Sequence, residues 1–443
     1  MSPGPARLVI AGTAGDSGKT LVTTGLLLAW RARGLHPAPF KKGPDYIDAA
    51  WLGRAAGRPC RNLDTFLQSP DAILRSFARH ADSAVAVVEG NRGLLDGMDI
   101  QGTHSTASLA RLLRAPVILV VNVTKVTRTV AAVVAGCKAL EPDLDLRGVI
   151  LNRVAGPRHE ALVRGAVEQL AGVEVVGALP KIKGEHPLPD RHLGLVTPQE
   201  HPGAAAATEI IQRMAEDHLD LVRILEIARS APSLGEVPNV DVDVDVDEHQ
   251  ARIGYFSDSA FTFYYPDNLE ALQAAGAELV AIDSLMDPTL PEDLDGLYLG
   301  GGFPETHAAR LADNASLMVS VKEAAEAGMP IFAECGGMIY LSRSLLHEGK
   351  RYPMAGVFPM DLEMCKRPQG HGYMELLVEG ENPLFEVGEV LRGHEFHYTR
   401  IIPHSDPDLD LAFRVKRGRG TLAGRDGVVY KNVVAGYAHL HAL

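Results

Sequence analysis

Two short stretches carry residues whose types and spacing can do chemistry. In "AGTAGDSGKT", residues 11 to 20, a glycine-rich turn ends in Gly-Lys-Thr ahead of a helical stretch. The backbone N–H groups of such a turn, with the helix N-terminus behind it, wrap phosphate oxygens. Gly12, Thr13, Asp16 and Gly18 belong to the loop, Lys19 would bridge the outer phosphates of ATP, and Thr20 would offer its hydroxyl to Mg2+. Five residues rather than four separate Gly12 from Gly18, so the loop is a lengthened one. The second stretch is "IFAECGGMIY", residues 331 to 340, which sets Cys335 between an acid and two glycines on a strand-to-helix turn. A lone cysteine is most often a buried structural residue, but a sharp glycine turn also presents nucleophiles. A helix starting just behind Cys335 would lower its thiol pKa. Backbone N–H groups of Gly301, in "LYLGGGFPE", and Gly336 would form an oxyanion hole. The closing "GYAHLHAL" places His439 and His441 on one face of a strand, and either could serve as the base that a cysteine needs.

Carboxylates gather near the first stretch. "KKGPDYID" sets Asp45 and Asp48 close to Lys41, and "VVEGNRGLLDG" puts Glu89 and Asp96 beyond the carboxyl end of a buried strand. Open α/β sheets bind ligands at that end. Mg2+ takes one or two carboxylates plus phosphate oxygens, so Thr20 and Glu89 are the expected metal ligands, with Lys41, Asp45, Asp48 and Asp96 serving metal or substrate.

The elements that must hold these residues are legible as repeats of one pattern. "RLVIAG", "AVAVVEG", "PVILVVNV" and "RGVILNRV" are continuous apolar runs, as expected of parallel strands covered on both faces. Amphipathic segments such as "KTLVTTGLLLAWRARG" and "STASLARLLR" lie between them, which predicts a doubly wound α/β domain. A second α/β series starts at "ARIGYFSD". The expected division is an ATP-binding domain over 1–235, an acidic linker over 236–250 in "VDVDVDVDE", and a second α/β domain over 251–443. At 443 residues two domains are the natural expectation.

Bulk properties narrow the class. Net charge is −13, which argues against a nucleic-acid binder, and "RVKRGRG" (414–420) reads as a solvated loop. Four cysteines (Cys60, Cys137, Cys335, Cys365) make no C-x-x-C pair and no disulfide framework, which fits a reducing compartment. No apolar run is of membrane-spanning length and the first residues lack a signal-peptide core, so a cytoplasmic protein is expected. Phe261, Phe263, Tyr264 and Tyr265 read as packing residues, and His394 and His397 in "GHEFHY" as a packed or substrate-facing loop, not a metal pair.

These segments resemble one group. The lengthened loop is similar to that of dethiobiotin synthetase and its relatives. The set "GTAGDSGKT", "KKGPDYIDAAWL", "GRPCRNLDTF", "VVEGNRGLLDG" and "STASLARLL" resembles the cobyrinic acid a,c-diamide synthase family. The segment from 252 onward resembles a class I glutamine amidotransferase domain of the same type. The resemblance implies that ATP activates a peripheral acetate of a cyclic tetrapyrrole as an acyl phosphate, and that ammonia from L-glutamine displaces phosphate. It points to His439 as the partner of Cys335. It also implies a Cys–His dyad with no obvious third member, since His441 stands where the usual glutamate would be. Homodimerisation is compatible with it and not fixed by it.

Departures from the corrin-type pattern bear on the substrate. Asn91, Arg92, His104, Lys125 and Arg128 add polar or cationic groups near the expected carboxylate site. Such cations suit a substrate with many carboxylates, so siroheme or a sirohydrochlorin stands as the alternative to cobyrinic acid. An ATP-driven switch protein would leave Cys335 and the terminal histidines without a role, and a dethiobiotin synthetase-like ligase would leave the second domain without one.

Overall fold

Strands buried on both faces need apolar side chains pointing both ways, and β1 (Ala6–Gly12) shows it. Leu8 and Ile10 enter one core with Trp30, Val87 and Ile118, while Val9 and Ala11 enter another with Phe40, Val88 and Leu119. The computed structural model describes residues 4–81, 84–182, 184, 186–191, 194–235, 237, 251–402 and 409–442. The chain divides into two compact units, Met1–Asp241 and Val242–Leu443. Apart from Val237, the expected acidic linker at 236–250 lies outside the described residues.

The first unit holds a parallel sheet in the order β3-β2-β4-β1-β5-β6-β7. The other six strands are β2 (Pro37–Lys42), β3 (Arg61–Leu63), β4 (Val85–Glu89), β5 (Val117–Asn122), β6 (Leu146–Val154) and β7 (Glu174–Pro180). Pro37 and Pro39 are tolerated because β3 pairs with β2 only from Phe40 onward. The sheet order reverses around β1, and α1 (Lys19–Ala32) leaves β1 there through the glycine-rich loop. α2 (Tyr46–Ala56) follows β2, its first turn capped by Asp45, which accepts from the Asp48 N–H at 2.9 Å. Two short strands, β8 (Asp190–Arg191) and β9 (Gly194–Leu195), pair apart from the main sheet.

The second unit is built on a mixed ten-stranded sheet in the order β11-β10-β12-β13-β22-β21-β20-β17-β18-β23. Its parallel part is β10 (Arg252–Phe256), β11 (Glu278–Ile282), β12 (Gly296–Leu299), β13 (Ile331–Glu334) and β22 (Val433–Gly436). A smaller sheet of β14 (Ser344–His347), β15 (Lys350–Pro353), β16 (Asp361–Met364) and β19 (Thr399–Ile401) packs beside it. The antiparallel part is β17 (Gly370–Val378), β18 (Val390–His397), β20 (Asp410–Arg417), β21 (Arg425–Tyr430) and β23 (His439–Leu440).

Three expectations change here. "GHEFHY" is not a loop: His394 and His397 sit on β18, three residues apart and so on opposite faces. "RVKRGRG" is solvated, but its first four residues finish β20 and only Gly418, Arg419 and Gly420 lie beyond it. β23 ends at Leu440, so His441 lies beyond the strand that carries His439. Among the described residues no helix is long and apolar enough to cross a membrane.

Close backbone approach is a requirement of the second unit. A Cβ on Gly337 would stand 2.3 Å from the Leu299 carbonyl oxygen of β12. Neither backbone can yield without opening the sheet. Gly337→Ala is therefore expected to destabilise this unit by about 2–4 kcal/mol, read as a lowered urea midpoint of its unfolding transition.

Candidate functional site

The phosphate loop is held from beneath by a residue far away in sequence. Asn152 on β6 donates from Nδ2 to the Ser17 carbonyl at 2.8 Å and fills the space beside Gly18. Gly18 has φ +94° and a Cβ there would lie 2.1 Å from Asn152 Nδ2, so only glycine fits. Ser17 Oγ donates to the Ala14 carbonyl and accepts from the Ala14 N–H, closing the loop on itself. Asp16 is exposed at the tip with φ 53°, and Gly12 and Thr13 lead into the loop from β1. Lys19 Nζ donates to the carbonyls of Ala14 at 3.1 Å and Arg92 at 2.8 Å, and burial together with Lys41 holds its pKa below the ordinary lysine range.

Beside the loop, one ammonium is surrounded by acids. Lys41 and Glu89 are register neighbours on adjacent parallel strands, so they share a face. Lys41 Nζ lies 2.6 Å from Glu89 Oε1, 2.7 Å from Asp48 Oδ2 and 3.7 Å from Asp45 Oδ2. Burial opposes its charge, but Asp48, Glu89 and Asp45 outweigh burial and keep the ammonium protonated. Burial also works against Asp48, yet Lys41 wins and holds that carboxyl below the usual range. Burial and the neighbouring Asp48 push Asp45 up to about 7. Asn62 ties the Asp45 loop by donating to the carbonyls of Gly43 and Asp45.

Whether this donor set suits Mg2+ is decided by Glu89. Thr20 Oγ1 donates to Glu89 Oε1 at 3.0 Å, the oxygen that Lys41 also holds. Glu89 Oε2 is fully buried with no hydrogen-bond partner among the described residues. A hydroxyl and a buried acceptor oxygen side by side fit a hard cation that keeps water and phosphate for its other positions. Among the described residues no three His, Cys, Asp or Glu side chains converge to hold an ion unaided. Asp96 Oδ2 accepts from the Gly93 N–H at 2.9 Å, and the Gly93 Cβ position lies 3.0 Å from the Thr13 carbonyl oxygen of the phosphate loop.

The other predicted polar residues divide between tied and exposed. His104 Nδ1 hydrogen-bonds Thr65 Oγ1 at 2.8 Å and its ring meets Phe66 edge-on. Asn91 packs beside Gly43. Arg92, Lys125 and Arg128 are exposed.

In the second unit Cys335 follows β13 on a turn with φ 45° and ψ −95°, a strained conformation for any side chain. It is fixed by its own N–H donating to the Gly436 carbonyl at 2.7 Å and by the Gly337 N–H donating to Gly300 at 3.0 Å. The expected lowering of the thiol pKa is reversed. Burial, then Glu305 and Glu334, push the thiol up, and the Gly336 N–H lowers it by less. The helix behind it, Gly336–Leu341, is six residues long and offers little dipole against that burial. The expected donor pair also changes: the Gly301 N–H is engaged by the Phe263 carbonyl at 3.3 Å. The next amide, Gly302 N, lies 3.1 Å from the Cβ position of Gly336.

His439 reaches the same spot from β23. A Cβ on Gly301 would meet its Cε1 at 2.4 Å, and a Cβ on Gly336 would meet Gly301 Cα at 3.3 Å. Gly301 thus lies between the histidine ring and the residue after Cys335. His394 stacks on His439 at 4.8 Å, and its Nδ1 meets Tyr265 OH at 3.2 Å. His441 packs on Tyr265 at 4.5 Å. Of the aromatic run, Phe261 and Tyr265 are core, but Tyr264 also does polar work, its hydroxyl accepting from the Gly300 N–H at 2.8 Å.

Asn152, Asp426 and Glu334 were not singled out by sequence. Asp426 is a fully buried acid that accepts from Thr421 Oγ1 at 2.5 Å and from the Tyr437 N–H at 3.2 Å, fixing the turn that leads to His439. Asp426 stands between Arg425 and Gly427, which gives no sign of its burial, whereas Glu334 closes the apolar run "IFAE" and carries the signal of an acid inside a buried strand.

Two outcomes follow from this geometry. Gly18→Ala is expected to weaken nucleotide binding by about tenfold or more, measured by calorimetric titration with Mg-ATP. Burial, then His397, lowers the pKa of His439 to about 3, so the unfolded chain binds this proton more readily than the folded one. Stability contributed by neutral His439 is present above about pH 6.5 and drains away as pH falls toward 3. His439→Asn should flatten that part of the stability–pH curve of the second unit.

Comparison with known proteins meets this geometry at both sites. The model for CobQ/CobB/MinD/ParA nucleotide binding domains matches residues 8–195, and that for CobB/CobQ-like glutamine amidotransferase domains matches residues 252–443. Cobyrinate a,c-diamide synthase of Magnetococcus marinus is 43% identical over 440 residues, covering 98% of this chain and 94% of the relative. The protein of the same name from Archaeoglobus fulgidus is 42% identical, over 99% of this chain and 94% of the relative. That of Methanobrevibacter smithii is 37% identical, over 98% and 95%. With both domain models matched and near full-length identity of this order, the chain belongs to the cobyrinate a,c-diamide synthase family.

Proposed function

We propose that this chain uses ATP and glutamine to convert acetate carboxylates of a cobyrinic acid-type macrocycle to amides. The observation that carries the reading is the presence in one chain of a phosphate loop beside the Lys41–Glu89 cluster and a cysteine elbow beside His439. Carboxylate is a poor electrophile because oxide leaves badly. Transfer of the terminal phosphoryl group to a substrate carboxylate oxygen, with ADP leaving, supplies a good leaving group. Lys19 turns from its carbonyl partners to the phosphates, and Lys41 offsets the repulsion of two meeting anions. Thr20 and Glu89 would hold Mg2+, which supplies charge neutralisation at the phosphates when bound. Ammonia then attacks the acyl carbon and phosphate departs.

The ammonia comes from glutamine. Cys335 Sγ attacks the side-chain carboxamide carbon while His439 accepts the thiol proton and passes it to the leaving nitrogen. The N–H groups of Gly302 and Gly336 receive the developing oxyanion. Water then resolves the thioester to glutamate. A dry, neutral elbow suits this step, since the thiol ionises only as its proton is taken.

Cys335→Ala is expected to cut glutamate release by about a thousandfold or more while amidation supported by added ammonium salt persists. Equal glutamate release by wild type and variant would sink the reading. The substrate is tested by incubating the protein with Mg-ATP, glutamine and a panel of cobyrinic acid, sirohydrochlorin and siroheme, followed by mass spectrometry. Amide formation on cobyrinic acid is expected, and turnover confined to another macrocycle would overturn the corrin assignment.

A further inference from the structure

Glu334 is a buried acid at the carboxyl end of a parallel strand that lies between two others. It ends β13 between Ala333 and Cys335, is 1% exposed, and faces Gly436 of β22 in register. Burying a carboxylate there costs several kcal/mol unless something compensates, so a side chain chosen for packing alone would be apolar. Its two oxygens are both held: Oε1 accepts from the Leu440 N–H at 2.8 Å, and Oε2 accepts from the Tyr298 hydroxyl at 2.9 Å. Asn268 completes the frame, donating to Tyr298 Oη at 3.3 Å and to the Leu440 carbonyl at 2.9 Å, and accepting from Ala442 N–H at 2.8 Å. The frame therefore fixes the carboxylate against the very strand that carries His439. Oε2 lies 3.9 Å from His439 Nδ1.

We propose that Glu334, the residue directly before the nucleophile, is the positioning residue of His439, selecting the tautomer with its proton on Nδ1 and stabilising the imidazolium formed during glutamine cleavage. The inference rests on the glutaminase reading of Cys335 and His439. It supplies the acid that the C-terminal segment lacks, where position 441 is a histidine packed on Tyr265. The other face of the His439 ring is occupied by His394, and Gly301 borders its Cε1, so the Nδ1 side is where an acid can reach it. A separation of 3.9 Å is an ion-pair distance and too long for a hydrogen bond. Catalytic contacts of this sort tighten once substrate and charge arrive.

Burial pushes the Glu334 carboxyl up to about 8 and the His439 imidazole down to about 3. Burial makes each charged form costly alone, and an opposite charge 3.9 Å away is what would relieve it when the ring takes a proton. In the reaction the thiol proton moves to His439 Nε2, the sulfur forms a bond to the carboxamide carbon, and Nδ1–H faces Glu334. The imidazolium returns its proton to the leaving nitrogen as the C–N bond breaks, and water later cleaves the thioester. Glu334 touches neither glutamine nor the sulfur in this sequence; it acts through the ring.

Glutamate release by wild type, E334Q, H439N and the double variant tests this. E334Q keeps the volume and is expected to lower kcat by roughly 100-fold with KM for glutamine within about threefold. In the H439N background the same change should alter kcat by less than about twofold. E334D, which keeps the charge, should recover part of the loss. Wild-type kcat in E334Q, or an equal fold loss in both backgrounds, would overturn the proposal and leave Glu334 a pin for the C-terminal segment. Melting curves check each fold; should E334Q not fold, E334D in both backgrounds gives the same comparison, with loss confined to the His439 background in support and equal loss against. A wild-type chain that releases no glutamate overturns the glutaminase reading and this inference with it, whereas an active wild type with an unaffected E334Q overturns the inference alone.

Discussion

A parallel sheet covered on both faces has one place to put charge, which is where its strands end. Both units obey that constraint. In the first, β1 ends at the phosphate loop, β2 ends in Lys41 and Lys42, β4 ends in Glu89, and β6 places Asn152 near its own end. In the second, β12 ends at the Gly300–Gly302 turn and β13 ends in Glu334 and then Cys335. The apolar runs that make the sheets also decide where the reactive groups must stand. Chemistry collects at the strand ends because the sheet interior excludes it.

The two sites use that position in opposite ways. Around Lys41 charges are gathered: one buried ammonium faces Glu89, Asp48 and Asp45, and their mutual attraction offsets a desolvation cost that none could bear singly. Lys42 and Asp64 repeat the device at 3.2 Å, and Asp64 also accepts from the Phe66 and Leu67 N–H groups to shape the loop after β3. Around Cys335 charges are suppressed: the thiol and Glu334 are held up and His439 down, all chiefly by burial. A charge-rich pocket suits polyphosphate and a metal ion. A neutral one suits a proton that moves within one catalytic step.

What the sequence revealed follows from locality. The phosphate loop, its lysine and the cysteine elbow are contiguous in the chain, so their spacing is their geometry. Glu89 and Lys41 were within reach because each ends a recognisable strand, and register does the rest. Contacts across the fold were not legible. Asn152 braces Ser17 from 135 positions away, and Gly301 loses its N–H to Phe263 through an isolated antiparallel bridge. Asp96 accepts from the Gly93 N–H of its own turn, a contact that spacing along the chain does not announce. The thiol shift went the other way because burial is a property of the assembled core, whereas the helix behind Cys335 can be read from the chain.

Glycine at the elbow shows why a few atoms settle so much. Gly300, Gly301, Gly336 and Gly337 each leave a space that a methyl group would fill with a ring or a backbone atom. Their absence of side chains lets β12, the Cys335 turn and the His439 ring approach one another within contact distance. That approach needs rigid backing, and Asp426 gives it on one side by accepting from the Tyr437 and Ala438 N–H groups, while Glu334 gives it on the other through Leu440. The segment carrying His439 is therefore held by two buried carboxylates, one before it and one after it. Only the second also faces the imidazole. An acid used purely as an anchor needs donors and nothing more, as Asp426 illustrates; one placed 3.9 Å from a ring nitrogen also faces whatever proton the ring takes.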